Sequence, residues 1–303
     1  MQPTSDDVAR TLKKAKEDLK EKSKLTEIAF FGGSFTAIDR AYMITLLEAA
    51  KPFLPDFYGI RISTRPDYID DEVLSIIKDY KVTSIELGAQ SMDNSVLELN
   101  KRGHSAQDVI NASNLIKKHG FSLGLQMMTG LYGATLEKDL STAQKIIELK
   151  PDTVRIYPTV VMKNTDLADY YLNGSFVPYT LEESVTLCSK MILLFAKADI
   201  KIIRLGLHYS DSLVENSLGG NYHPAFKELC ENRIFYEQFL EKAKSFSEKK
   251  LMVTINPKSL SKFLGQNKRN INKFREMGYE LEIKFDDTLD KYDLGVCDAT
   301  EIS

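Results

Sequence analysis

Cysteine is scarce in this 303-residue chain, and the three that occur, Cys188, Cys230 and Cys297, form no C-x-x-C pair and no compact metal-binding spacing. A disulfide scaffold and a zinc ribbon are excluded on that count. The four histidines, His104, His119, His208 and His223, contain no H-x-x-x-H pair and no serine or aspartate companion at a hydrolase spacing. That argues against a zinc or serine hydrolase. Long apolar runs are also missing: the longest, MILLFA at 191–196, falls far short of the ~20 residues of a membrane span. The opening MQPTSDDVARTLKKAKEDLKEK has the charge pattern of an amphipathic helix without the apolar core of an export signal, so a cytoplasmic protein with no membrane partner is expected. Neither sign of charge dominates. With 40 basic and 43 acidic residues the net charge is −3, so any attraction to nucleic acid has to be local.

The composition that remains, 43% hydrophobic and 27% charged, is that of an ordinary globular protein, long enough for two domains or one large barrel with a small appendage. From residue 24 to about 203 a short apolar run, a polar loop and a helical segment alternate. The runs at 27–31, 59–63, 84–87, 122–127, 153–157 and 201–205 are continuous rather than alternating, as in parallel strands covered on both faces. A doubly wound sheet and a β/α barrel both satisfy this pattern. Six units at intervals near thirty residues favour a barrel or partial barrel, whose ligands sit in the loops after the strands. Those loops are where glycine and polar residues gather. Glu86 falls inside a strand, where a carboxylate needs a partner, and Arg61 or Arg155 is the expected one.

The run Phe30-Phe31-Gly32-Gly33-Ser34-Phe35 ends a strand, and its paired glycines let a ligand approach the backbone. It is followed in order by STRPDYID (63–70), ELGAQS (86–91), NKRGHS (100–105), LQMMTGLYG (125–133) and VRIYPTVV (154–161). Together these resemble the radical S-adenosylmethionine enzymes, in the branch that holds the tRNA-modifying elongator catalytic subunit, with a more distant similarity to the oxygen-independent coproporphyrinogen oxidases. The resemblance covers about residues 24–236 and implies a partial (β/α) TIM-like barrel missing its first strand.

The resemblance also implies roles. Gly32 and Gly33 match the glycine motif whose backbone binds the methionine amino group, with Ser34 where other members often carry glutamate. Thr64 and Arg65 match the segment near the methionine moiety and ribose, and Gln90 and Arg102 match the next rim positions. Gln126 and Met128 match the strand bordering the adenosine, and Tyr157 lies on the strand that closes the pocket. No catalytic residue and no metal ligand is assigned. The family's four-iron four-sulfur cluster, held by C-x-x-x-C-x-x-C, cleaves S-adenosylmethionine to a 5′-deoxyadenosyl radical when a reductant such as ferredoxin or flavodoxin supplies the electron. That motif does not occur in this sequence, so the chain is expected to begin just after the cluster loop. A second departure is Leu131-Tyr132-Gly133, where relatives usually read Leu-Pro-Gly. The expected function is therefore that of a radical enzyme of RNA modification whose cluster segment is absent from this chain. A non-catalytic RNA- or S-adenosylmethionine-binding paralogue is the alternative, and a porphyrin-type substrate has less in its favour.

After SFSEKK (245–250) the text changes to strand, helix, loop, helix and strand, which sets the expected domains at 1–245 and 246–303. This β-α-α-β order resembles the KH RNA-binding core, whose G-x-x-G loop clamps a nucleic-acid backbone. The loop is Gly265-Gln266-Asn267-Lys268 followed by Arg269, with lysine in place of the second glycine. Seven basic residues against three acidic ones between 256 and 284 supply the local positive charge that RNA contact, tRNA included, requires. An acidic tail from Asp286 to Glu301 is expected to be only partly ordered.

Overall fold

A computed structural model describes residues 2–299, so Met1 and Glu301 of the expected tail lie outside the described residues. The chain divides into two compact units, one of residues Met1–Tyr157 with Asp199–Arg204 and the other of Pro158–Ala198 with Leu205–Ser303.

The first unit opens with α1 (Ser5–Leu19), started by a capping box between Thr4 and Asp7 and burying Val8 and Leu12. A sheet follows in chain order: β1 (Glu27–Phe30), β2 (Gly59–Thr64), β3 (Val82–Gln90), β4 (Ser122–Thr129) and β5 (Thr153–Pro158). Its sixth strand, Lys201–Leu205, is numbered β7 because the short β6 (Val160–Met162) intervenes. Strands β1 to β4 pair in parallel, and the sheet order repeats the chain order. This is the open, partial β/α barrel that the alternation predicts.

Between strands run α2 (Arg40–Ala50), α3 (Asp71–Asp79), α4 (Asn94–Leu99), α5 (Ala106–Lys118) and α6 (Leu136–Glu148). Each starts where an oxygen-bearing side chain accepts from a first-turn N–H: Asp39, Asp70, Asp93, Ser105 and Thr135 in turn. Each cap stabilises by about 1 kcal/mol, and it also fixes how many residues are left for the loop before the helix. The strands are not covered alike on both faces. Ile60, Ile62, Ile85, Leu87, Leu123, Leu125, Met127, Val154 and Ile156 are fully buried with the helices. The opposite face carries Glu27, Arg61, Ser63, Glu86, Gln126 and Arg155, and its polarity is the departure from the sequence expectation.

The second unit pairs β6 antiparallel with β8 (Ser217–Gly220) and holds α7 (Asp166–Leu172), α8 (Leu181–Lys197), α9 (Asp211–Asn216) and α10 (Phe226–Ala243). Then come β9 (Lys250–Ile255), α11 (Leu260–Leu264), α12 (Arg269–Glu276), β10 (Glu280–Phe285) and β11 (Leu294–Asp298). β10 runs parallel to β9 and β11 antiparallel to it. The expected β-α-α-β order is present, but the tail is ordered to Asp298 because Val296 and Cys297 pair with Val253 and Met252. One apolar core takes residues from both sides of position 245: Phe235, Phe239 and Ala243 of α10 pack with Leu251, Val253, Ile255, Phe263 and Phe274. Among the described residues, no helix is long and apolar enough to cross a membrane.

Candidate cofactor site

The loop after β1 leaves its backbone open. Gly32 has φ +106°, and a Cβ added at Gly32 or Gly33 would meet nothing within 4 Å. Only a residue without a side chain combines that backbone with free access to its amides. The loop is fastened on the helix side by Phe35, whose ring stacks on Phe30 at 4.8 Å. Thr36 fastens it again, through a 2.6 Å bond between its hydroxyl and that of Thr64 and a 2.7 Å bond donated to the Tyr68 carbonyl. Thr64 is 3% exposed, so its side chain holds the loop from beneath and does not face the opening. Ser34 lies partly buried at the loop's end.

Around the rim, Arg65 is held in a two-pronged bond to Asp67 at 2.9 and 2.7 Å and lies over the Tyr68 ring. That carboxylate's hydrogen bond raises the Arg65 pKa. The Arg65 guanidinium rests on Gly103 (φ +74°), where a Cβ would come within 2.7 Å of Nη2. Beside it Arg102 has its Nε buried without a hydrogen-bond partner, and among the described residues no acidic side chain pairs with it. Burial, reinforced by the charge of Arg65, pushes the Arg102 pKa down. His104 is similarly short of a partner: its Nδ1 is buried and unbonded while Nε2 lies 3.2 Å from the Ala89 carbonyl. A half-buried guanidinium next to another cation is destabilised until an anion arrives. Gln90 (φ +62°) stands at the irregularity between β3 and β4 with its amide folded toward Gly88. Tyr132, where relatives usually carry proline, donates its N–H to Asn100 Oδ1 at 3.3 Å, a bond proline cannot make.

Below the rim, the polar face of the sheet is a closed network. Glu86, 1% exposed, accepts from Arg155 at 2.6 and 2.9 Å, from Arg61 at 3.3 Å and from Gln126 at 2.8 Å. Both expected partners of Glu86 are therefore used. Gln126 also donates to Ser63 at 3.2 Å, which places its amide in this network. Glu27 accepts from Arg61 at 2.7 Å, Ser84 at 2.7 Å and Thr83 at 3.0 Å. Burial alone would raise the Glu27 pKa, but these bonds outweigh it and hold the carboxyl below its usual range. Gly124 makes room for Glu86, since a Cβ there would stand 2.8 Å from Glu86 Cγ. Met128 and Tyr157 continue the same face toward the rim, and the Phe31 ring lies over the Arg155 guanidinium at 5.1 Å. Phe31 and Arg155 are site residues that motif matching passes over. Their signal was parity, since 27, 29 and 31 fall on one side of β1 and 153, 155 and 157 on one side of β5.

In the second unit Gly265 (φ +77°) turns the chain against Asn270, whose amide donates to the carbonyls of Asn232 at 2.9 Å and Phe263 at 3.1 Å. Gln266 follows, and Asn267, Lys268 and Arg269 stand exposed, the first two in left-handed backbone. A groove of about 660 Å³ between α12 and β10 has Leu264, Ile271, Leu281 and Ile283 in its lining, with Lys268 and Arg275 at its polar border. The other basic residues are dispersed: Lys262 lies over Tyr292 and Lys273 over Tyr236.

The residues present fit one implied cofactor and not the other. Open glycine carbonyls suit the amino group of S-adenosylmethionine, and the half-buried Arg102, which has no acidic partner, suits its carboxylate. An iron–sulfur cluster finds no ligand set in this sequence, because Cys188 and Cys230 are buried in α8 and α10 and Cys297 stands apart on β11.

Residues 2–146 match the family model described as Radical SAM superfamily, and residues 151–235 the one described as Radical_SAM C-terminal domain. Over 131 residues the chain is 37% identical to the tRNA uridine(34) acetyltransferase of Methanocaldococcus infernus, covering 42% of this chain and 24% of that protein. Over 139 residues it is 32% identical to Elongator complex protein 3 of Homo sapiens, covering 45% of this chain and 25% of the relative. The match thus spans about a quarter of these relatives' length. The solved structure of the archaeal Methanocaldococcus infernus Elp3 with an N-terminal deletion is similar with a TM-score of 0.67 at 26% identity, over 78% of this chain and 59% of that one.

Proposed function

Because the chain belongs to the radical S-adenosylmethionine superfamily, in the branch of the elongator catalytic subunit, we propose that its first unit binds S-adenosylmethionine and that the protein acts in RNA modification, with tRNA as the substrate class. Two observations carry the reading: the open backbone of Gly32 and Gly33 after β1, and Arg102 on the rim beside Arg65, whose buried Nε has no hydrogen-bond partner. In this arrangement the carbonyls of the glycine loop take the methionine amino group and Arg102 its carboxylate. Arg65 is kept from that carboxylate by Asp67 and holds the rim in place. Gln90, Gln126, Met128 and Tyr157 border the ribose and adenine, with Gln126 anchored by Glu86.

When cleaved by a reduced cluster, S-adenosylmethionine supplies the radical that abstracts hydrogen, and a ferredoxin or flavodoxin is the expected electron donor. The chain's own residues account for binding and orienting the cofactor, and no step is derived through a cluster that they do not ligate. That same lack of ligands favours a second reading, a binding protein without radical chemistry. In either case the exposed Lys268 and the groove beside it are the proposed RNA contact, by the charge they present and the KH-like order of their elements.

Titration of the chain with S-adenosylmethionine tests the first half. Arg102→Leu should weaken binding by about tenfold to a hundredfold, the range for losing one charge-assisted hydrogen bond. An unchanged affinity in a folded variant would remove the assignment.

A further inference from the structure

The glycine loop follows β1, and Tyr157, one border of the adenosine side, sits on β5, separated from β1 in the sheet by β2, β3 and β4. One side chain reaches across. Arg155 rises from β5, is bound by two hydrogen bonds to the buried Glu86 of β3, and presents its guanidinium to the Phe31 ring 5.1 Å away. Phe31 is the residue immediately before Gly32, and it is 47% exposed, so little apolar packing fixes its ring. On the other side of β1 the Phe30–Phe35 stack anchors the loop to the helices. The two glycines make no side-chain contact of their own and find open space around them. Phe31 is their neighbour in the chain, and Arg155 is what lies against its ring.

Resting on the cofactor reading above, we propose that Arg155 is a positioning residue, locked by Glu86, that sets the Gly32–Gly33 backbone for S-adenosylmethionine through the face of Phe31. It touches the loop's neighbour and does not itself take part in chemistry. A cation near an aromatic face is attracted to it, and here the guanidinium is pre-oriented because Glu86 accepts from its Nε and Nη2. The second strap, Thr36 on Thr64, restrains the loop's far end but leaves Phe31 free to rotate.

The test uses the full chain and the half-exposed partner, because removing Arg155 leaves Glu86 with one arginine fewer and can unfold the sheet. Phe31→Leu and Phe31→Tyr are compared with wild type by calorimetric titration with S-adenosylmethionine, alongside thermal melts. Phe31→Leu should weaken binding about threefold to tenfold at an unchanged melting temperature, the scale of one partly screened cation–π contact. Phe31→Tyr keeps the ring and should bind as wild type does. In a folded Arg155→Met background, Phe31→Leu should have no further effect. Equal affinity for the leucine and wild-type chains, or a leucine effect that tyrosine does not rescue, overturns the positioning role while leaving the cofactor reading intact. A wild-type chain that fails to bind S-adenosylmethionine overturns both.

Discussion

Thr64 stands two residues beyond Ile62 and four beyond Ile60, on the face of β2 that meets the helices. Its hydroxyl was therefore committed to that side before any ligand is considered, and motif matching, which ignores parity, counted it as a contact. Glu86 shows the opposite case. A strand carboxylate among apolar neighbours demands a cation, so Arg61 and Arg155 were legible as partners, although that both would be used was not. Arg102 was legible only through the family resemblance, since nothing local marks a loop arginine as buried. Glu27 links the network to acid, because its carboxyl is held below its usual range against the pull of burial by Ser84, Arg61 and Thr83. A group with a lowered folded pKa contributes stability that is present above its unfolded pKa and lost as pH falls through the folded one. Melting temperatures of wild type and Glu27→Gln should therefore converge as pH drops from 6 toward 3, with the wild type the more stable at the upper end. Parallel curves over that interval would show that Glu27 adds no proton-linked stability.

Strands and helices with strong apolar periodicity appeared where the sequence predicts them, within a few residues at the ends. What escaped were the short ladders. β6 and β8 have three and four residues, and β8 is half glycine, so neither carries a pattern of period two. β11 hid in an acidic stretch because Asp293 precedes it and Asp298 ends it, although Leu294 is 2% exposed. The loop between α11 and α12 carries a sequence departure whose consequence is local. Lys268 occupies left-handed backbone at φ +59° where the KH pattern has glycine. A side chain in that region costs about 1–2 kcal/mol, and glycine recovers this less an entropic cost of about 0.5–1 kcal/mol. Lys268→Gly should thus be neutral to about 1 kcal/mol more stable in urea unfolding while binding RNA more weakly and with a shallower salt dependence. A stabilised variant with undiminished RNA affinity would move the proposed contact away from this loop.

At the scale of the whole chain, alternation narrowed the first part to a doubly wound sheet or a barrel, because a β/α repeat allows few topologies, and the family resemblance chose the partial barrel. The sequence break at SFSEKK is a surface feature, however, and it does not mark where cores part. α10 precedes the break, yet Phe235 and Phe239 are fully buried against Phe263, Phe274 and the β9 residues Leu251, Val253 and Ile255. The Phe239 ring lies 4.2 Å from Phe274 and 5.1 Å from Tyr279. Burying each such ring contributes about 1.5–3 kcal/mol, and a three-stranded sheet with two short helices has little surplus with which to replace it. A fragment of residues 246–303 should therefore lack a cooperative thermal transition by circular dichroism, whereas residues 226–303, which restore α10, should show one. If the shorter fragment melted cooperatively on its own, the helix would be packing against a module already stable, and the break in the sequence would be a true domain boundary.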